Sequence, residues 1–243
     1  MTSTPVSLPA FRPAVRPIGT AGPLALSPAL RRRANASRAR GWGVTELGLP
    51  AGLLAGALLA AHVALAALDA DMMDFDSAVD YLREWVYLGG ILAWTALLVA
   101  LRAVHRAVHR SGRIGAQTGL GTPGGAGWWL AVLGHGAILL KEAVVLAVGI
   151  ALGTPALLRL QAAIGPLYVA SVLASLVGCA LLGAGVLRAG VLPRWAGVAL
   201  LLSYLVVFPL GEYAPVAQAV LVVAIALALH TAVRAGSRRP VRA

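Results

Sequence analysis

The sequence predicts an all-α integral membrane protein: a polytopic bundle of six transmembrane helices with both termini in the cytoplasm. Three observations carry this. The first is composition. Of 243 residues, 59% are hydrophobic and 12% are charged, and the mean hydropathy is +0.83. Soluble domains are about 45–50% apolar and about a quarter charged. The second is six apolar stretches, approximately Leu47–Leu68, Trp85–Val108, Trp128–Leu152, Ile164–Leu187, Trp195–Leu210 and Ala214–Val233; most match the roughly 20 residues that cross a bilayer. The third is charge asymmetry. Seventeen of the nineteen arginines fall in segments assigned to one side, leaving Arg83 and Arg159 on the other. The positive-inside rule makes the rich side cytoplasmic. An even number of spans keeps the arginine-rich ends together, and the aromatic residues agree, with Trp42, Trp128, Trp129 and Trp195 at inner ends and Tyr81, Trp85, Tyr87, Tyr168 and Tyr213 at outer ends.

These observations divide the chain into a basic, Pro/Arg-rich cytoplasmic tail (1–43), a six-helix membrane domain (44–235) and a short basic tail (236–243). The first tail has no acidic residue and carries arginines at 12, 16, 31, 32, 33, 38 and 40. Such a segment buries too little apolar surface to offset chain entropy, so disorder is expected. Its prolines interrupt the apolar core that a secretory signal requires. An organellar transit peptide would also be arginine-rich and acid-poor. Asn35-Ala36-Ser37 fits a glycosylation acceptor but falls on the cytoplasmic side. The Arg31–Arg33 cluster suits anionic lipid. The net charge of +11 would suit nucleic acid; that reading fails because the arginines flank apolar segments. The expected partners are the bilayer and, for a scaffold, another copy or another membrane protein. The expected location is the cell membrane.

Within the domain, Gly52 and Gly56 on the first helix have small-xxx-small spacing, and Ser171, Ser175 and Cys179 do the same on the fourth. Such faces let helix backbones approach closely. The first outer connection is acidic, with Asp69, Asp71, Asp74, Asp76, Asp80 and Glu84. Asp69, Asp71, Asp74 and Asp76 form a candidate cation loop, although the spacing is not that of an EF-hand. Ser77 with Asp80 reads as a capping box opening the second helix; the plain reading of the rest is a solvated loop. Gly119–Gly127 lacks the Lys-Ser/Thr of a phosphate-binding loop and reads as a flexible turn. The fifth stretch is short, and Pro209 to Pro215 make a hairpin to the sixth.

The central anomaly is Lys141, the only lysine, beside Glu142 in the middle of the third stretch. A charge at mid-bilayer costs a few kcal/mol or more, so it faces a bundle interior and marks a functional site by default. His135 lies seven residues before Glu142 and shares its face, whereas Lys141 projects about 100° away. Ser171, Ser175, Thr95, Ser203 and Tyr204 fall at similar depth. The candidate polar centre is therefore Lys141, Glu142, His135, Ser171, Ser175 and Tyr204. The plain alternative is an ion pair that only locks helix packing.

No cofactor or metal is expected. His62 and His135 lie toward opposite leaflets, which argues against haem, and no ligand spacing supports zinc. His105, His109 and His230 sit at inner ends among arginines. No paired carboxylates or nucleophile–base set supports an enzyme. Transport or sensing of a small solute, ion or proton is the leading reading. A non-catalytic scaffold using the small-residue faces is the alternative.

One stretch, Arg188-Ala189-Gly190-Val191-Leu192-Pro193-Arg194-Trp195, resembles the R-x-G-x-L-P-R-W connection between late helices in an uncharacterised family of six- to seven-helix integral membrane proteins from GC-rich bacteria. A GC-rich source also fits an arginine excess over lysine of nineteen to one. The resemblance implies a helical bundle and no assigned activity. Physically, Arg188 and Arg194 serve as inner-face anchors and Trp195 sits at the interface.

Overall fold

The computed structural model describes residues 43–68, 77–110 and 120–237. The candidate cation loop Asp69, Asp71, Asp74 and Asp76 and most of both tails lie outside these residues. Among the described residues all regular structure is helical: α1 (Gly48–Ala66), α2 (Ala78–Arg110), α3 (Gly121–Leu152), α4 (Thr154–Ala189), α5 (Arg194–Leu205) and α6 (Ala214–Ser237). A single turn, Val207–Leu210, and a 3-10 turn, Gly211–Tyr213, join α5 to α6. Five helices are long and apolar enough to cross a membrane, while α5 has only 12 residues.

Successive helices pack as neighbours, and α6 closes on α1, so the six form a ring in chain order with α2 also touching α6. The core runs along α2, through Trp94, Leu97, Leu98 and Leu101, all fully buried. Only 22–44% of each apolar window is buried. What remains outside is also apolar, with Leu54, Leu92, Leu133, Leu140 and Val220 largely exposed. Contiguous apolar surface of this extent suits a lipid environment rather than water.

Helix boundaries follow local chemistry more than hydropathy. The capping box forms as expected: Ser77 Oγ accepts from the Asp80 N–H at 3.2 Å, and Asp80 Oδ2 accepts from the Ser77 N–H at 3.2 Å and hydroxyl at 2.8 Å. It starts α2 at Ala78, seven residues before the apolar run, and so places Arg83 and Glu84 on the helix rather than in the connection. Ser77→Ala should lower stability by about 1 kcal/mol, read as thermal unfolding in detergent. At the same end of the bundle, Gly153 at φ +75° turns the chain in one residue between α3 and α4. Helix α4 therefore begins at Thr154, ten residues ahead of the expected Ile164, and absorbs Pro166 and Arg159. The glycine-rich stretch is also reassigned. From Gly121 onward it is helical, and Gly124 and Gly127 face Gly185 and Gly178 of α4.

The break after Leu205 has a covalent cause. Pro209 has no N–H to give the Leu205 carbonyl, and its ring crowds that oxygen. Helical bonding nonetheless continues across it, from the Val206 N–H to Leu202 at 3.2 Å and from the Leu210 N–H to Val206 at 3.2 Å.

Both small-residue faces are used inside the ring. A Cβ on Gly52 or Gly56 would collide with Ala226 or Val223 of α6, and one on Gly134 would strike the Ser175 backbone. Several expected interfacial residues are also internal. His105 is buried, its Nδ1 donating to the Leu101 carbonyl at 2.9 Å. Trp128 is buried and donates to the Leu98 carbonyl at 2.8 Å, binding α3 to α2.

Candidate functional site

At the end of the ring that carries the Gly153 hairpin, all six helices contribute to one cavity of about 360 Å³. This lies near the lower end of the ~300–1,000 Å³ typical of small-ligand sites. Helix α1 supplies His62 and Ala66, α2 supplies Arg83, Glu84 and Tyr87, and α3 supplies Ile138, Lys141 and Glu142. Tyr168 and Val172 come from α4, Tyr204 from α5, and Pro215 and Gln218 from α6. Gly211, where the 3-10 turn begins, also lines it. Irregular backbone at membrane depth is tolerated where it faces protein or a cavity.

Two ionic groups face each other across this space. On α3, Lys141 Nζ sits 2.9 Å from Glu142 Oε1. Adjacent helix positions do not share a face, so the flexible lysine stem folds back to reach its neighbour. Its ammonium also lies 4.8 Å from the Tyr168 ring centroid. Glu142 is 3% exposed, and its Oε2 has no hydrogen-bond partner. On α2, Arg83 is 6% exposed and Asp80 fully buried. Arg83 Nη1 lies 3.8 Å from Asp80 Oδ1 and its Nε 3.5 Å from Glu84 Oε1. Glu84 is within electrostatic reach of Lys141, and Glu142 within reach of Glu84 and His62.

The aromatic floor is equally specific. His135 Nδ1 meets the Ala131 carbonyl at 2.7 Å, and a carbonyl only accepts, so Nδ1 carries the proton. Its Nε2 is left to accept from the Tyr204 hydroxyl at 3.1 Å. Trp94 stacks on Tyr204 at 5.3 Å and meets His135 edge-on at 5.1 Å. On the opposite wall, His62 Nδ1 donates to the Arg83 carbonyl at 3.2 Å, with Tyr87 4.9 Å from its ring. Tyr204→Phe would leave His135 Nε2 buried without a donor. We expect a loss of about 1–3 kcal/mol in thermal unfolding, partly recovered when His135→Phe is added.

Of the six residues expected at the polar centre, Lys141, Glu142 and Tyr204 line the cavity. His135 lies directly behind Tyr204. Ser171 and Ser175 lie in the α3–α4 seam, Ser171 Oγ donating to its own helix at Leu167. Thr95 and Ser203 likewise donate within their helices. Arg83, Glu84, His62, Tyr87, Tyr168 and Gln218 also line the cavity and lie outside the expected set; Asp80 sits beside Arg83 without lining it. Tyr87 and Tyr168, expected in an interfacial belt, turn inward. A signal for the α2 set exists: positions 80, 83, 84 and 87 follow the i, i+3, i+4, i+7 spacing of one helical face once the capping box sets the helix start.

Among the described residues no group of three or more His, Cys, Asp or Glu could hold a metal ion. Fold and site together define a multi-pass, membrane-type helical bundle with a charged cavity at one end. No family model matches the chain, and no curated protein or solved structure matches it either.

Proposed function

We propose that the protein is a six-span integral membrane protein, with both termini cytoplasmic, that admits a small polar solute into the six-helix cavity from the outer face. The reading covers transport and sensing, which share this step. One observation carries it: Glu142 lines a cavity that every helix helps to form, and one oxygen of its buried carboxylate has no hydrogen-bond partner. A pair serving only to lock packing would be expected between helices, with its oxygens served. This one joins neighbours on one helix.

The sixth span is supported by the helical hydrogen bonds that cross Val206, which make Arg194–Leu210 one path of about 25 Å at 1.5 Å per residue. Sidedness is supported by the arginine distribution, which sharpens because Arg83 is a cavity residue and not a loop charge. At the opposite end the Arg102 guanidinium lies 3.9 Å from the Trp128 ring centroid, a cation–π contact. The R-x-G-x-L-P-R-W connection supports the same architecture. Here Gly190, at φ +62°, ends α4 and Pro193 precedes α5. The scaffold alternative is weakened, because the faces of α1 and α4 proposed as its assembly surfaces are already packed on α6 and α3.

Sidedness is tested with single cysteines in a Cys179→Ser background. Ala66→Cys should react with a membrane-impermeant maleimide on intact cells, and Glu46→Cys only after permeabilisation. The reverse pattern would invert the topology and overturn uptake from outside.

A further inference from the structure

Resting on the solute-cavity reading, we propose that the ligand is a small monovalent organic cation, an alkylammonium, which binds at Glu142 Oε2 in competition with Lys141. Not every polar atom without a hydrogen bond in this region is unserved. Arg83 Nε and Nη1 and Asp80 Oδ1 lack hydrogen bonds, but each has an opposite charge within 4 Å: Glu84 at 3.5 Å and Asp80 at 3.8 Å. A shift of a few tenths of an ångström would close these contacts, so the Asp80–Arg83–Glu84 group is self-sufficient. Glu142 differs. Its one cation sits on Oε1, and Oε2, buried on a residue that lines the cavity, has no donor of its own.

The surroundings favour a cation there over an anion or a zwitterion. Among the lining residues the formal charges of Glu84 and Glu142 balance those of Arg83 and Lys141, and Asp80, buried behind the lining 3.8 Å from Arg83, adds one further negative charge. Three tyrosines, Tyr87, Tyr168 and Tyr204, line the space, and aromatic faces attract ammonium groups, more strongly when water is excluded. The protein already uses this chemistry, since the Lys141 ammonium rests against Tyr168 while paired to Glu142. Lys141 is thus a tethered copy of the ammonium the cavity would accept. A metal ion is a poorer occupant, because the carboxylates and histidines among the described residues do not converge as a ligand set. The volume also exceeds what a bare ion fills.

The test titrates n-butylammonium chloride into the full-length protein in a nonionic detergent, reading both calorimetric binding and thermal unfolding. Sodium chloride at equal ionic strength and the size-matched anion n-butyrate serve as controls. Wild type should be stabilised by n-butylammonium and by neither control. Lys141→Met, lacking the resident cation, should bind it at least about tenfold tighter, a gain that misfolding cannot mimic. Glu142→Gln should lose the response. Stabilisation by n-butyrate in place of n-butylammonium would overturn the proposal, as would weaker binding by Lys141→Met or no binding by either protein. These failures differ from failure of the cavity reading, which is decided separately by whether Val172→Cys, on the cavity wall, reacts with a water-borne thiol reagent. A reactive Val172→Cys with no alkylammonium binding rejects the ligand class and leaves the cavity standing.

Discussion

Lys141→Met is expected to destabilise the ligand-free protein strongly, by up to about 3–5 kcal/mol, the range for a buried charge that loses its partner. It leaves Glu142 with neither oxygen compensated in a setting where the whole residue is 3% exposed. Glu142→Gln should cost less. The lysine side chain is 16% exposed and flexible, so its ammonium can move toward the open part of the cavity. The double variant, with uncharged side chains of similar volume, should regain most of the loss, because it removes the charges together with their desolvation cost. Thermal unfolding of the four proteins in detergent gives the cycle. Recovery in the double variant is shared by a packing lock and a ligand site. Rescue of Lys141→Met by n-butylammonium separates them, since a lock has no place for an added cation.

The second large effect belongs to the α3–α4 seam. A Cβ on Gly178 would collide with the Ala131 backbone nitrogen and fall 2.7 Å from its Cα. Backbone cannot swing aside as a side-chain tip can, so Gly178→Ala must push the two helices apart. We expect at least the ~1–3 kcal/mol of ordinary overpacking, with further loss because Ser175 and Gly134 meet in the same seam. Gly136→Ala is the matched control: it lies on α3, with nothing within 4 Å of its Cβ position. That change should be neutral or gain up to about 1 kcal/mol from helix propensity. Equal losses at the two positions, measured by thermal unfolding, would remove the seam as a determinant of the fold.

The helices were legible because apolar length is a composition signal, and so was the oddity of Lys141 and Glu142. Their surroundings were not. Hydropathy places the start of α2 at Trp85, where apolar residues become continuous, and so assigns Arg83 and Glu84 to water. The helix begins at Ala78 because Ser77 and Asp80 cap it, and two turns of charged helix then face inward. The same averaging separates α3 from α4 at the polar run near Arg159, whereas one glycine at positive φ suffices to turn the chain. Tyr87 and Tyr168 show a different limit. An aromatic residue near a helix end suits an interfacial belt and a cavity wall equally well, and only the neighbouring helices decide. The pairing of His135 with Tyr204 spans 69 positions, beyond any local pattern. By contrast, the tight spacing of Gly52 with Gly56 announced close packing correctly, but its partner, α6, appears only when the ring is closed.

The most direct test of the account asks whether water reaches Val172. Val172 and Leu173 are adjacent on α4 and so at nearly the same depth. Val172 lines the cavity, whereas Leu173 is 45% exposed on the apolar outer surface. The thiolate attacks the thiol reagent, and it forms only where water supports the charge. In the Cys179→Ser background, Val172→Cys is expected to react with a small water-soluble methanethiosulfonate in the membrane-embedded protein, while Leu173→Cys stays unreacted. An unreactive Val172→Cys, or equal reaction at both positions, would contradict the cavity and leave Lys141 and Glu142 as a buried structural pair.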